Sequence, residues 1–524
     1  MALPVGNFSA MNRHYCKISI EGKKDMFSYT SGQYVYNEKK RLAERDVEFD
    51  IEALKLIAAE SVGRQKVSHM KKLAEGGFNR VFLLTMDDGF EVIVKIPYHI
   101  AVPKHFTTES EVATLDFLQL KGVPVPHVYA WSSKTNNAVG TEYIVMEKAL
   151  GQPLEDRWFT LTQKERSVLQ GKSAAASLSR HLCVRHAGRV GRRTTADYMF
   201  WRGKRAELEL DRRPWRDPHA YLRAIGTREQ EWTRRFGTPL QNYFPHNAIL
   251  EGEIAPEIHT ELLDKCLALT AYLLPKLSGH ILNRPTLRHP DLNLSNIFVS
   301  DECEVSCIID WQHTSLLPLL LAAGNPALFD NPDPTPPKDY AAPSLPENYA
   351  SLNPEEKSCA DELHRRRMLL YLYMIFNGKD NKDHFSAMRT PVLAQRQHLI
   401  ERAGMEWTGN TVTLEGALRR VVDGWGLLAP EGHGKVECPI SFSVEESEAF
   451  FELEEEWFKG NILVEHWKKQ LDGMSGDGWV RSEVFEGATE KNRQLKEWIE
   501  MGDDDEDRAC VEGVWPFDDR EEVE

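Results

Sequence analysis

The sequence predicts an α+β fold of two lobes, a small antiparallel β N-lobe followed by a large, mainly helical C-lobe. Short apolar or alternating runs, typical of strands, are concentrated between residues 67 and 148. After Gly151 the apolar residues recur at helical spacing over long segments. Hydrophobic residues make up 41% of the 524 residues and aromatic residues 10%, which is enough for an extensive core.

A first helix is predicted from Asp50 to Ser61, and five strands are predicted in the N-lobe that follows it. Asp87-Asp88-Gly89 is typical of the tight turn of a hairpin. A second helix is predicted from Thr108 to Leu120, and Thr107 or Thr108 together with Glu111 matches a capping box at its start. The predicted strands are Val67 to Leu73, Val81 to Met86, Phe90 to Ile96, Val128 to Ser132 and Glu142 to Lys148.

The C-lobe is predicted to be helical except for two short strands, Ile297 to Val299 and Val305 to Ile309. The proline-rich stretch Asn331 to Pro354 is predicted to be a loop. The later helices are predicted at Pro354 to Phe376, Pro391 to Ala403, Leu414 to Trp425 and Ser443 to Leu471. We therefore divide the chain into an extension with the first helix (1–60), the N-lobe (61–150), the C-lobe (151–480) and an acidic tail (481–524).

Charge and composition exclude several classes of protein. The formal net charge of -16 argues against a general nucleic-acid binder, which needs a basic surface. The eight scattered cysteines do not form a disulfide framework. No run reaches the ~20 apolar residues of a membrane span, since the longest candidate, Leu316 to Ala323, contains Pro318.

Two features of the predicted β lobe suit phosphate binding. In Glu75-Gly76-Gly77-Phe78-Asn79-Arg80 the glycines would let backbone amides approach phosphate oxygens, although a plain hairpin turn needs glycine too. Lys95 lies inside an apolar strand, where it either points outward or enters a cleft to contact phosphates. In the cleft it would pair with a helix carboxylate, and Glu111 is a better partner than Glu109.

The strongest motif is His289-Pro290-Asp291-Leu292-Asn293-Leu294-Ser295-Asn296, which precedes an apolar strand. An Asp and an Asn five residues apart in one loop reach one space, where Asp291 can take a hydroxyl proton and Asn296 can ligate Mg²⁺. Each also occurs as a cap or turn residue in ordinary loops. Asp310 follows the next strand and precedes Trp311, where it is either an ordinary strand-terminal residue or a second Mg²⁺ ligand. We expect His289 to hold the loop by hydrogen bonds.

Taken in this order, the motifs resemble the aminoglycoside phosphotransferase and choline kinase superfamily, which has a bilobal protein-kinase-like fold. The sequence is most similar to its fungal branch of altered inheritance of mitochondria protein nine. The resemblance spans roughly residues 28–520, and the stretches that carry it are Glu75 to Pro97, Thr107 to Trp131, Thr141 to Lys148, Ala196 to Arg213, Pro285 to Asn325 and Glu362 to Lys379.

The resemblance implies a role for each candidate residue. Asp291 would be the catalytic base, Asn296 and Asp310 the metal ligands, and Lys95 with Glu111 the ion pair at the phosphates. The remaining nucleotide-binding residues would be Gly76, Gly77 and Asn79 in the glycine-rich loop, Met146 behind the adenine, and Glu147 and Ala149, whose backbone would bond the adenine edge.

The sequence departs from protein kinases at several positions. Asn293 stands where those enzymes carry a lysine, Asp310 is followed by Trp311-Gln312, and the loop lacks the three-glycine spacing. These departures favour a small-molecule kinase. The segment Arg166 to Thr195 contains no acidic residue and differs in composition from relatives. We interpret it as a translated intron or a local change of reading frame, and a functional basic patch is the less favoured alternative.

The resulting hypothesis is an ATP- and Mg²⁺-dependent phosphotransferase acting on a hydroxyl of a small molecule. The alternative is a nucleotide-binding pseudokinase or scaffold of mitochondrial maintenance. Acids after Pro354, such as Glu355, Glu356 and Asp361, would suit a cationic acceptor, but we favour surface charge. The resemblance implies a mitochondrial location, which the basic N-terminus supports only weakly, and a cytoplasmic location is the alternative.

Overall fold

The computed structural model describes residues 26–158, 194–326, 341–428, 436–501, 511 and 513–522. The unusual segment Arg166 to Thr195 lies outside these residues apart from its last two. The basic N-terminus up to Lys24 and the acidic run Asp503 to Asp507 lie outside them as well.

The N-lobe contains a five-stranded antiparallel sheet and its flanking helices, which confirms the predicted β lobe. Its elements in chain order are β1 Gln33–Tyr34, α1 Glu38–Arg45, α2 Ile51–Ser61, β2 Val67–Glu75, β3 Asn79–Met86, β4 Glu91–Pro97, α3 Phe106–Leu120, β5 Val128–Ser132 and β6 Tyr143–Glu147. The order across the sheet is β2-β3-β4-β6-β5. The predicted strand ends differ from the observed ones by no more than two residues.

Side-chain alternation gives this sheet two buried faces. Phe82 of β3 and Val94 of β4 pack with Leu54 of α2 on one face. Ile144 and Met146 of β6 pack with Val112 of α3 on the other. A strand covered on both faces is apolar along its whole length, which explains the nearly continuous apolar run of β6.

The start of α3 differs from the predicted capping box. His105 is the N-cap and makes no side-chain cap hydrogen bond. The Thr108 hydroxyl instead donates to the Glu142 carboxylate over 2.7 Å, and Glu111 is bonded to Lys95. Thr108 and Glu111 therefore bond to residues of other elements and do not cap the helix as the local sequence pattern predicted.

The C-lobe is mainly helical, which confirms the second half of the predicted fold. Its elements are β7 Gln152–Pro153, α4 Leu154–Arg157, α5 Pro218–Phe236, β8 Leu240–Gln241, β9 Glu253–Ile254, α6 Pro256–Leu273, β10 Pro285–Leu287, β11 Ile297–Val299, β12 Val305–Ile308, β13 Leu316–Pro318, α7 Leu319–Ala322, α8 Pro354–Asp380, α9 Lys382–Met388, α10 Leu393–Ala403, α11 Val412–Asp423, α12 Trp425–Leu428, α13 Val444–Gln470, β14 Trp479–Val480 and α14 Phe485–Glu500.

The core of the C-lobe lies between α5, α6, α10 and α11. Leu222, Leu263, Leu399 and Leu418 come from these four helices in turn, and each is fully buried. A separate cluster that includes Ile297 packs beneath β11 and β12. That second cluster supports the loop that carries Asp291.

The C-terminal segment packs against the start of the chain. β1 pairs with β14 in an antiparallel register, and Trp515 and Phe517 are buried in one cluster with Tyr36. The Arg41 guanidinium of α1 forms an ion pair with Glu522. The described part of the expected acidic tail therefore joins the N-terminal segment to the C-lobe.

No helix within the described ranges combines the length and apolar character that crossing a membrane requires.

Candidate active site

Three charged side chains meet between the lobes. Lys95 of β4 donates to both oxygens of Glu111 on α3, over 2.7 and 3.0 Å, and to Asp310 Oδ1 over 2.8 Å. The side chains of Lys95 and Glu111 are 9% and 4% exposed, whereas that of Asp310 is 38% exposed. Lys95 therefore points into the cleft, and Asp310 is the member of the group that a ligand reaches most easily.

The electrostatics keep Lys95 and Asp310 charged. Burial by itself lowers the pKa of Lys95, but Asp310 and Glu111 outweigh it, so that the pKa is raised. Burial opposes ionisation of Asp310, but the Lys95 ammonium holds its pKa below the ordinary value. Burial raises the pKa of Glu111, whose carboxylate shares one ammonium with Asp310. The pair across the cleft is thus a cation and an anion.

His289 fixes the loop that leads to Asp291, as expected from the sequence. Its Nε2–H donates to the carbonyl of Ile309 over 2.8 Å, and its Nδ1 accepts from the amide of Asp291 over 3.1 Å. Its ring also packs against Trp311 at 4.5 Å between centroids. Burial lowers the pKa of His289 to about 4, so that the neutral ring keeps both hydrogen bonds at physiological pH.

Asp291 carries a carboxylate whose basicity is enhanced. Burial raises its pKa, the negative charge of Asp310 adds to the effect, and a hydrogen bond from Asn293 opposes it. Asn293 Nδ2 donates to Asp291 Oδ2 over 2.9 Å. A carboxylate that is held in place and has a raised pKa suits proton abstraction from a hydroxyl.

Asn293 also caps the short 3₁₀ turn that contains Asn296. Its Oδ1 accepts from the backbone amides of Ser295 and Asn296 and from the Ser295 hydroxyl. In the sequence, Asn293 stood out only as a departure from protein kinases. An Asn just before a short turn is typical of an N-cap, and this pattern could have predicted its capping role.

The donor atoms that remain suit a divalent cation. Asn296 Nδ2 donates to the carbonyl of Asp291 over 2.9 Å, which leaves its amide oxygen as the atom able to ligate a metal. Asp310 adds an ionised carboxylate. Oxygen donors of this kind are the ligands of Mg²⁺ in phosphoryl-transfer sites, where phosphate and water oxygens complete the shell. Within the described ranges, no three His, Cys, Asp or Glu side chains form a metal-binding group.

The glycine-rich loop is the tip of the β2–β3 hairpin. The amide of Gly76 donates to the carbonyl of Asn79 over 2.8 Å, and Gly77 and Phe78 form the tip. The Asn79 side chain donates to Gln312, two residues after Asp310. Asn79, which was predicted to be a nucleotide-binding residue of this loop, therefore has its side chain engaged across the cleft.

The predicted adenine-binding residues lie at the end of β6, where the chain passes between the lobes. Met146 is buried with Val112 and Ile144, and Glu147 and Ala149 are half-buried. The amide of Glu147 donates to the carbonyl of His127 over 2.8 Å. In the β4–β6 register Ile144 lies opposite Lys95 and Met146 lies opposite Ile93, so that Met146 and Lys95 are on the same face of the sheet.

The acids considered for a cationic acceptor are engaged in local structure. Asn353 and Glu356 form a capping box at the start of α8. Asp361 accepts from the Tyr349 hydroxyl over 2.9 Å. Glu355 is exposed in the first turn of the same helix. This arrangement agrees with surface charge.

Comparison with known proteins agrees with the geometry of the cleft. A subtelomeric hrmA-associated cluster protein of Aspergillus fumigatus (strain CEA10) is 31% identical over 513 residues, covering 86% of this chain and 97% of that protein. The family described as phosphotransferase enzyme family (APH) matches residues 69–321. The chain belongs to this phosphotransferase family.

Other proteins similar to this chain are more distant. Altered inheritance of mitochondria protein 9 of Eremothecium gossypii is 23% identical over 490 residues, covering 82% of this chain and 76% of that protein. Among solved structures, macrolide 2′-phosphotransferase MphH of Brachybacterium faecium is 17% identical, with a TM-score of 0.28 over 72% of this chain and 99% of that one. A structural likeness at this level indicates nothing about the substrate.

Proposed function

We propose that this chain uses ATP and Mg²⁺ to phosphorylate a hydroxyl group of a small molecule. The observation that carries the proposal is the pair of hydrogen bonds from Lys95 to Glu111 and Asp310 across the cleft. The pair places a buried cation beside an ionised carboxylate, as binding of a metal–phosphate complex requires. The negative charge of Asp310 also contributes to the raised pKa of Asp291, so that the two carboxylates interact electrostatically.

In the proposed reaction the acceptor oxygen attacks the γ-phosphorus, the bond to the ADP oxygen breaks and the hydroxyl proton passes to Asp291. Asn293 holds the carboxylate of Asp291 in place for this step, and His289 holds its backbone amide. Lys95, already oriented by Glu111, neutralises phosphate charge. A Mg²⁺ ion held by Asn296 and Asp310 would supply further neutralisation of that charge.

The nucleotide site extends from the glycine-rich hairpin to the end of β6. Gly76 and Gly77 are proposed to face the phosphates through their backbone amides. Met146 is proposed to pack behind the adenine, with the backbone of Glu147 and Ala149 at its edge. These assignments rest on the family resemblance and agree with the places of the residues along the cleft.

The names of the relatives suggest a location. Several are called altered inheritance of mitochondria protein 9, mitochondrial. We extend this location to the present chain as part of the proposal. Expression of the full chain with a C-terminal fluorescent protein, followed by fractionation, would test it, and signal confined to the cytosol would contradict it.

The first experiment is turnover of Mg-ATP with a pooled library of hydroxyl-bearing metabolites. We expect a phosphorylated product with the wild type and a loss of at least about 1000-fold with Asp291→Ala, because the removed group acts in the chemical step. Asp301→Ala is the matched control, since Asp301 is exposed in the turn between β11 and β12. Product formed equally by all three proteins would refute the assignment of Asp291.

Nucleotide binding without a phosphorylated product would instead favour the scaffold function. Thermal stabilisation by ATP distinguishes this result from a failure to bind nucleotide.

A further inference from the structure

The glycine-rich hairpin touches the C-lobe at its tip. Asn79 Nδ2 donates to Gln312 Oε1, and these two side chains are 8% and 6% exposed. The ring of Phe78 lies 5.3 Å from that of Tyr198 and 4.9 Å from that of His313, both at T-shaped angles. One polar and two aromatic contacts therefore join the hairpin to the opposite lobe.

The C-lobe side of these contacts is firmly held. Trp311 is 1% exposed, and its indole donates to the carbonyl of Ile308 over 3.0 Å. The Thr314 hydroxyl donates to the carbonyl of Trp311 over 2.6 Å. Gln312 thus directly follows an anchored residue, and it is held in place as the acceptor for Asn79.

The contacts lie directly beside the charged residues of the cleft. Asn79 and Lys95 lie on paired strands, with Val81 opposite Lys95 in the register. Gln312 follows Asp310 by two residues, and Lys95 bonds to Asp310. A ligand that reaches Lys95 and Asp310 has the hairpin above it.

We propose that Phe78, Asn79 and Gln312 form a latch that closes the hairpin over the phosphate site and must open for nucleotide to bind or leave. The inference rests on the proposed function, since it assigns nucleotide to that site. It makes Gln312 a positioning residue, which sets the hairpin relative to Asp310. The amide group of Gln312 is buried. If its partner Asn79 is removed, this amide group has no hydrogen bond in the closed state and is solvated only when the hairpin opens.

The test compares Asn79→Ala, Gln312→Ala and the reciprocal double variant Asn79→Gln/Gln312→Asn. The double variant keeps the total length of the two side chains and both amide groups. Thr85→Ala, at the far end of β3, is the matched control for substitution in this strand. Two readouts are hydrogen exchange of residues 75–80 in the ligand-free full chain and stopped-flow binding of a fluorescent N-methylanthraniloyl ATP.

We expect the single variants to raise amide exchange in the hairpin and to accelerate nucleotide association and release by about tenfold, the equivalent of one lost buried hydrogen bond. The double variant should recover most of the wild-type behaviour. Phe78→Leu should act in the same direction, because it removes the aromatic contacts and retains an apolar side chain, and it serves if the Asn79 variants fail to fold.

Single variants with wild-type exchange and wild-type rates would overturn the latch, and so would a double variant no better than the singles. A wild type that binds no nucleotide would refute the proposed function and with it the gating of nucleotide. In that case, hydrogen exchange would still test whether the contact between the hairpin and the C-lobe is present.

Discussion

At the scale of single residues, Asn293 bonds to both ends of the loop that leads from Asp291 to Asn296. Its amide hydrogens reach Asp291 and its amide oxygen caps the turn that presents Asn296. A lysine at this position would have no acceptor oxygen for the cap. The residue that distinguishes this chain from a protein kinase therefore also shapes its loop.

Asn293 gives a prediction about pH dependence. Its hydrogen bond stabilises the charged form of Asp291 and lowers the pKa of that carboxyl. In Asn293→Ala this pKa should rise. Because Asp291 acts as a base only when it is deprotonated, the activity should then begin to fall at a higher pH when the solution is acidified. We expect the acid limb of kcat/KM to move up by about one pH unit, since a bond to a charged group is involved.

The control for this experiment is Ser295→Ala, which removes a hydroxyl bonded to Asn293 and leaves the bond to Asp291 intact. Its acid limb should stay at the wild-type position. Equal pH profiles for Asn293→Ala and wild type would show that Asn293 does not control the basicity of Asp291.

The sequence predicted the residues of the cleft better than their contacts. The pairing of Lys95 with Glu111 was predicted from a polar residue in an apolar strand and a helix sixteen residues later. The bond between Asn79 and Gln312 joins residues 233 positions apart, and no local periodicity records such a partner. The structure also uses Asn79 through its side chain, whereas the sequence indicated only a glycine-rich loop.

At the scale of elements, the connection between the lobes depends on Gly151. Its φ of 89° lies in the region that favours glycine, and a Cβ added there would overlap the carbonyl oxygen of Val299 on β11. The backbone of the connection therefore passes directly against a C-lobe strand. In the sequence, Gly151 only marked the point at which the spacing of apolar residues changes from strand-like to helical.

Substituting Gly151 by alanine should destabilise the protein for two reasons, the positive φ and the overlap. Gly89→Ala isolates the first reason, because Gly89 has a φ of 86° and open space around it. We expect Gly151→Ala to lower the free energy of unfolding by about 1 to 3 kcal/mol more than Gly89→Ala does. Denaturant titrations of both variants provide the comparison, and equal losses would show that the overlap is relieved without cost.

Element types were largely predictable, because alternation in the strands and helical spacing leave a direct trace in the sequence. The strand ends of the N-lobe were found to within two residues. The capping box at the start of α3 was wrong, since Thr108 bonds to Glu142, just before β6, and Glu111 bonds to Lys95 on β4. The replacement of capping hydrogen bonds by bonds to distant residues cannot be predicted from the local sequence.

At the scale of the whole molecule, the two ends of the described chain form one structure. Trp515 lies 5.2 Å from Trp467 and 5.6 Å from Phe517 between ring centroids, and Tyr36 joins the same cluster. The sequence predicted an N-terminal extension and a separate acidic tail. Their shared core depends on pairing across the full length of the chain, which composition does not reveal.

Removing the centre of this cluster should destabilise the protein strongly. Trp515 is 1% exposed and its indole donates to Asn492, whereas Trp498 on α14 is 73% exposed. We expect Trp515→Ala to lower the free energy of unfolding by about 3 to 5 kcal/mol and Trp498→Ala to have little effect. Thermal unfolding of both variants tests this, and equal melting temperatures would show that the cluster contributes nothing to global stability.

The contact between the two ends also sets the order of events during synthesis. The amide of Asn37 bonds to Asp519, 482 residues later in the chain. At ~5 to 20 residues per second, a ribosome needs roughly 25 to 100 s to produce that partner after it has made Asn37. Until β14, Trp515 and Phe517 have been made, the edge of β1 and Tyr36 are without their full native cover. A nascent chain interrupted before that point exposes an apolar segment to chaperones and proteases.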